Sequence, residues 1–111
     1  MKQLLFAGNA FLLDGETADL LVEYSATVIR MGTADAVEIN ALSPNGDEVT
    51  VNFLLSAGMP LMAESSRIDL PVPENSSALT YMRTAMARLT ARPSAIAADE
   101  PLFDDFDAFE T

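Results

Sequence analysis

The stretch AVEINALSPNGDEVTVNFLL, residues 36–55, decides the fold. In its first half Val37, Ile39 and Ala41 alternate with Glu38 and Asn40; in its second half Val49, Val51 and Phe53 alternate with Glu48, Thr50 and Asn52. A period of two places each apolar set on one face of a strand and the polar set on the other. The residues between them allow two loop lengths. A two-residue Asn45-Gly46 loop sets Val51 opposite Asn40 and Phe53 opposite Glu38, mixing apolar with polar on both faces. A three-residue loop, Pro44-Asn45-Gly46, sets Val37 opposite Phe53, Ile39 opposite Val51 and Ala41 opposite Val49. Pro suits the first turn position, and Gly suits the left-handed position of the bulge that closes such loops. The spacing therefore predicts a hairpin with a three-residue loop and one apolar face.

Working outward, Lys2 to Ala7 and Ala10 to Leu13 are short apolar runs on either side of Gly8-Asn9. They read as a second hairpin, whose two-residue Gly8-Asn9 turn pairs Phe6 with Phe11 and Leu4 with Leu13. Asp14 is placed to cap a helix starting near Gly15. Over Glu16 to Met31, Leu21, Tyr24, Val28 and Met31 recur at helical spacing, Glu16, Asp19, Glu23 and Arg30 fall opposite, and Gly32 follows as a stop. Beyond Leu55, Ser56-Ala57-Gly58 predicts a bend and Pro60-Leu61-Met62-Ala63 a short edge strand. Pro71, Pro73, Asn75, Ser76 and Ser77 mark a loop that ends in capping residues. A second helix is predicted from Ser77 to Ala91, with Leu79, Met82, Ala85, Met86 and Leu89 on one face and Pro93 ending it. The expected architecture is α+β: an antiparallel sheet of four to five strands (two β-hairpins), two helices packed on one face, order ββ-α-ββ-(β)-α. Residues 1–93 form the expected domain, 94–101 a linker and 102–111 an acidic, aromatic tail.

The chain has 111 residues, half of them hydrophobic, with 17 acidic and 6 basic side chains and a formal charge of −11. That charge argues against nucleic-acid phosphates and anionic membranes as partners. No His and no Cys are present, which removes Ser-His-Asp and Cys-His nucleophile systems, thiolate ligands and disulfides. Carboxylates, two Tyr and the single Lys2 remain as possible acids and bases. No Ser has an evident activating base, no Gly-rich phosphate loop occurs, and the acids match no calcium-loop spacing. The sequence therefore leads to the expectation of a non-enzymatic protein without cofactor or metal. The absence of Cys fits a reducing compartment. The apolar run Leu4 to Ala7 is too broken for a secretory leader, so the N-terminus is expected to be that of a cytoplasmic protein.

The negative charge is concentrated. Residues 99–111 hold six acids and no base, giving −6, and residues 1–98 hold the other 11 acids and all six bases, giving −5. In the tail, Leu102, Phe103, Phe106 and Phe109 interleave with Asp104, Asp105 and Asp107. As a helix, Leu102, Phe106 and Phe109 form one narrow stripe, the pattern of a docking peptide that orders on a partner. Two plainer readings compete: the phenylalanines pack back on the body, or the segment only aids solubility. Arg83, Arg88 and Arg92 make the second helix the local basic surface on which such a tail would lie. Met31, Met82 and Met86 fall on apolar helix faces and read as core. Met59, Leu61 and Met62 flank or form the predicted edge strand and are candidates for strand addition or a homodimer contact.

In size, acidity and want of catalytic groups the chain resembles the small α+β chaperones that escort other proteins, such as type III secretion chaperones. Those begin with a helix, whereas this chain is expected to begin with strands. The function expected is a small acidic adaptor or chaperone-like module, using the tail and a sheet edge to contact another protein. The alternative is a nucleic-acid mimic or inhibitor, in which Glu16, Asp19, Glu23 and the tail acids present a phosphate-like strip to a basic groove.

Overall fold

The computed structural model describes residues 1–97, with side chains through residue 91. Five strands and two helices follow one another as β1 (Lys2–Phe6), β2 (Asn9–Leu13), α1 (Gly15–Arg30), β3 (Asp35–Leu42), β4 (Glu48–Leu55), β5 (Leu61–Ser65) and α2 (Ser76–Ala97). The strands form one antiparallel sheet in the order β4-β3-β2-β1-β5. This is the expected α+β order, with the edge strand present and paired to β1.

The β3–β4 hairpin has the register its side chains demand. Val37 pairs with Phe53, Ile39 with Val51 and Ala41 with Val49. Gly46 donates its N–H to the Ser43 carbonyl at 2.9 Å and takes φ +91°, the left-handed conformation that closes the three-residue loop. Phe53 is fully buried and packs edge to face with Phe6 and Phe11, at centroid distances of 5.0 and 5.8 Å. Each such ring pair adds about 0.5–1.5 kcal/mol beyond the area it buries.

The first hairpin corrects the sequence reading. Its two turn residues are Ala7 and Gly8, both at positive φ, so Leu4 pairs with Phe11 and Phe6 with Asn9. The predicted Gly8-Asn9 turn is two residues out of register. A shift of two leaves every side chain on its original face, so alternation alone cannot detect it. The observed register aligns β1 with both neighbours at once. Lys2 to Phe6 face Leu13 to Asn9 on one side and Ser65 to Leu61 on the other.

The cap at Asp14 is present: its carboxylate accepts the Thr17 N–H at 2.9 Å and the Thr17 hydroxyl at 2.8 Å. At the other end of α1, Thr33 N–H reaches the Val28 carbonyl and Gly32 N–H the Ile29 carbonyl. With Gly32 at φ +68° this is a Schellman stop, and it leaves Met31 as the capping residue. Leu21, Tyr24 and Val28 on α1, with Ala78, Met82 and Ala85 on α2, bury themselves over Leu4, Leu13, Ile39 and Phe53 on one face of the sheet.

The second helix also departs from expectation. It begins at Ser76 and runs through Pro93 to Ala97, so Pro93 does not end it and 94–97 of the expected linker are helical. Proline removes one backbone donor. The segment around it is built from Ala91, Ala95 and Ala97, whose helix propensity is the highest available.

Candidate functional site

Strand β3 has two unlike sides. Toward β4 it is paired along all eight residues, from Asp35 with Leu55 to Leu42 with Glu48. Toward β2 it has one pair, Leu12 with Leu42, because β2 ends at Leu13 while β3 continues beneath the helices. The next residue whose backbone faces that way is Asn40, and a side chain takes the place of the missing strand. Asn75 is buried and gives its Nδ2 to the Asn40 carbonyl at 2.8 Å; its Oδ1 accepts the Asn40 N–H, also at 2.8 Å. One amide thereby satisfies both backbone groups, as a neighbouring strand residue would.

The same amide ties the helices down. Asn75 Nδ2 reaches Asp14 Oδ1 at 3.4 Å, and the Asn75 carbonyl accepts the Leu79 N–H at 2.9 Å, making it the first turn of α2. The Asn40 side chain continues the chain of contacts, accepting from the Thr50 hydroxyl at 3.0 Å and donating to the Glu74 carbonyl at 3.2 Å. The two helices start together at this point and run in the same sense, since Val28 and Leu89 near their far ends line one cavity.

Beyond Asn40 the β2-facing side of β3 is open. Backbone direction alternates along a strand, so Glu38 and Ala36 point the way Asn40 does. The Ala36 N–H is taken by the Asp35 carboxylate at 2.8 Å. Glu38 N–H and C=O have no partner among the described residues. A groove of about 270 Å³ lies along this edge, lined by Ala36, Val37, Glu38, Ser77, Ala78 and Tyr81. A second cavity of about 230 Å³ shares Glu38, Ser77 and Ala78 and adds Asn40, Glu74 and Asn75.

At the far end of the groove both tyrosines of the chain converge on one carboxylate. Tyr24 and Tyr81 each donate to Asp35 Oδ2 at 2.5 Å, and their rings meet edge to face at 6.3 Å. Burial raises the Tyr24 hydroxyl far above the ordinary tyrosine range, helped by its bond to Asp35. The Tyr81 hydroxyl is raised chiefly by the Asp35 hydrogen bond and then by burial. For Asp35 burial pushes upward, but the two hydroxyls, the Ala36 N–H and nearby Arg88 outweigh it and hold the carboxyl below its usual value. At neutral pH the tyrosines are protonated donors and Asp35 is an ionised acceptor already saturated by them. The cluster links α1, β3 and α2, and no group in it is a free base.

The residues singled out from the sequence are not gathered at this groove. Leu61 points to the core face of β5, whereas the neighbouring Met62 lies half-exposed on the opposite face and Met59 sits in the preceding turn. The edge strand is real, but these three side chains do not form one patch. Arg83 is paired with Glu16, and Arg88 lies by Asp35 in a cavity of about 170 Å³. Those two members of the basic surface therefore have acidic neighbours in the body; the Arg92 side chain lies outside the described ones. Leu102, Phe103, Asp104, Asp105, Phe106, Asp107 and Phe109 also lie outside the described residues. Glu16 and Asp19, two acids of the expected phosphate-like strip, are paired with Arg83 and Lys2.

Sequence reading missed Asp35, Tyr24, Tyr81 and Asn75 as a group. That both tyrosines fall on predicted helices was visible; that they meet one carboxylate was not. Among the described residues no cluster of three or more acids, His or Cys is placed to hold a metal ion, and no helix is long and apolar enough to cross a membrane. Comparison with protein-family models, curated proteins and solved structures returned no match.

Proposed function

We propose that this chain is a small non-enzymatic protein-binding module, an adaptor or chaperone-like factor, that holds an extended segment of a partner by strand addition to β3 beside α2. One observation carries the reading. The Asn75 amide already occupies the place of a strand at Asn40, and the next backbone groups in line, those of Glu38, are open to a groove. Strand addition supplies affinity through such main-chain groups and specificity through flanking pockets. Glu38 and Glu74 line the end of the groove near Asn75, so the partner segment carries Lys or Arg there. This charge preference excludes the chain's own residues 99–111, which contain no base. In the same proposal the tail from Leu102 to Phe109 is a second, separate contact, and the Cys-free composition suits a cytoplasmic setting.

The test is an NMR titration of the full chain with three short β-prone peptides: one with a central Lys, one with a central Glu, and the Lys peptide N-methylated at alternate backbone positions. The Lys peptide is expected to shift the amides of Ala36, Glu38, Ser77 and Tyr81, and the other two to bind at least about tenfold more weakly. Equal binding by the methylated peptide, or shifts confined to β4 or β5, overturns the proposal.

A further inference from the structure

The sheet has two outer edges, and they are protected unequally. Edge strands that stay monomeric are commonly short, charged, bulged or interrupted by Pro. Strand β5 has five residues, follows Pro60 and carries Glu64. Strand β4 has eight residues, a continuous ladder to β3, no Pro, no bulge and one charge, Glu48, at its very start.

The direction of its free groups follows from β3. Since Asn40 faces away from β4, Ile39 faces toward it, and its partner Val51 faces back. Thr50 and Asn52 therefore point their N–H and C=O outward. On the helix side of this edge, Val49 and Val51 are only half-buried, although they belong to the apolar face.

We propose that the outer edge of β4 pairs with the same edge of a second copy, antiparallel about Val51, to form a two-fold dimer with one continuous sheet. In this register Val51 meets Val51 of the other copy on the helix side, and Thr50 meets Asn52 twice on the open face. Both hydrogen-bond sets are then made by outward-facing groups. The charge pattern selects the antiparallel arrangement. It sends the two Glu48 side chains to opposite ends, about 20 Å apart at the rise of an extended strand, beyond the screening length of roughly 8 Å at physiological salt. Parallel pairing would set them side by side. Each copy carries −11, so dimerisation strengthens as salt rises.

The Cys-free chain makes the test direct. Val51→Cys, at a non-hydrogen-bonded antiparallel pair, puts two thiols within disulfide reach. Under mild oxidant it is expected to link into dimers much faster than Met62→Cys on the β5 edge. Sedimentation of the unaltered chain, from low micromolar to near-millimolar concentration, is expected to show a monomer–dimer equilibrium. Asn52→Glu, which sets a carboxylate opposite Thr50 and diagonal to Glu48 of the other copy at two symmetric places, should weaken it by about tenfold. Asn52→Pro, which removes an outward N–H and no ladder bond, should do the same, with circular dichroism confirming that each variant is folded. Equal crosslinking at both cysteines, a monomer throughout, or a dimer indifferent to both Asn52 variants overturns the proposal.

Discussion

The two sides of β3 compare two ways of satisfying a strand. Toward β4 every residue is paired by backbone, and the side chains repeat that pairing from Val37 with Phe53 to Ala41 with Val49. Toward β2 the work is shared among one strand pair, one buried amide and an open groove. The paired side is redundant, because a ladder shares any local loss among its neighbours. The patched side hangs on single groups, and in the gap it leaves the backbone groups of Glu38 have no partner among the described residues.

The sharpest way to break this comparison is a proline scan. Ile39→Pro removes an N–H bonded to β4 together with a core side chain, and is expected to cost about 3 kcal/mol or more. Glu38→Pro, one residue away, removes an N–H with no partner and is expected to cost less than about 1 kcal/mol. Urea unfolding of the two variants measures the difference, and similar costs would mean that the sides are not distinct. Next in size is Asn75→Ala. It leaves the Asn40 N–H and C=O without partners beneath the helices, an expected loss of about 2–3 kcal/mol.

The far end of the groove is probed by pH. Asp35 has a folded value below its ordinary one, so its contribution is complete above about pH 4 and is lost as pH falls through the folded value. Tyr24 and Tyr81 have raised values, so their contribution is complete below about pH 10 and declines as pH rises beyond it. Thermal melts should therefore show a plateau between these limits, and Asp35→Ala should lower it by about 1–2 kcal/mol while flattening the acid limb. The smallest effect lies outside β3 and serves as its control. Ala7 sits at φ +51° in the first hairpin turn, and Ala7→Asn is expected to stabilise by about 0.5–1 kcal/mol with peptide binding unchanged.

Much of the fold was legible because its strongest signals are local. Alternation in residues 36–55 marked both strands and excluded the odd registers, each of which exposes Phe53, while the turn preferences of Pro44 and Gly46 pointed to the three-residue loop. Asp14 and Gly32 marked both ends of α1 through hydrogen bonds that span only a few residues. The first hairpin was legible in kind but not in register, because a two-residue slip keeps Leu4, Phe6, Phe11 and Leu13 on one face. Pro93 carries the local signal of a helix stop, yet α2 continues through it among alanines, because the cost of one proline is set by the whole segment around it.

The candidate site was scarcely legible. Asn75 reads from sequence as a loop residue before a helix, which it is; that its side chain also completes β3 depends on a residue 35 positions away. The same holds for Tyr24 and Tyr81, which reach Asp35 from 11 and 46 residues' distance. The sequence by itself determined the elements, the buried face and the excess of acid in the last 13 residues, since periodicity, capping and composition act over short range. Tertiary structure alone decided that β2 meets β3 at a single pair, Leu12 with Leu42, that an asparagine fills the first vacancy and that a groove remains beyond it. Those outcomes depend on where two helices settle over one sheet, and no local pattern encodes that position.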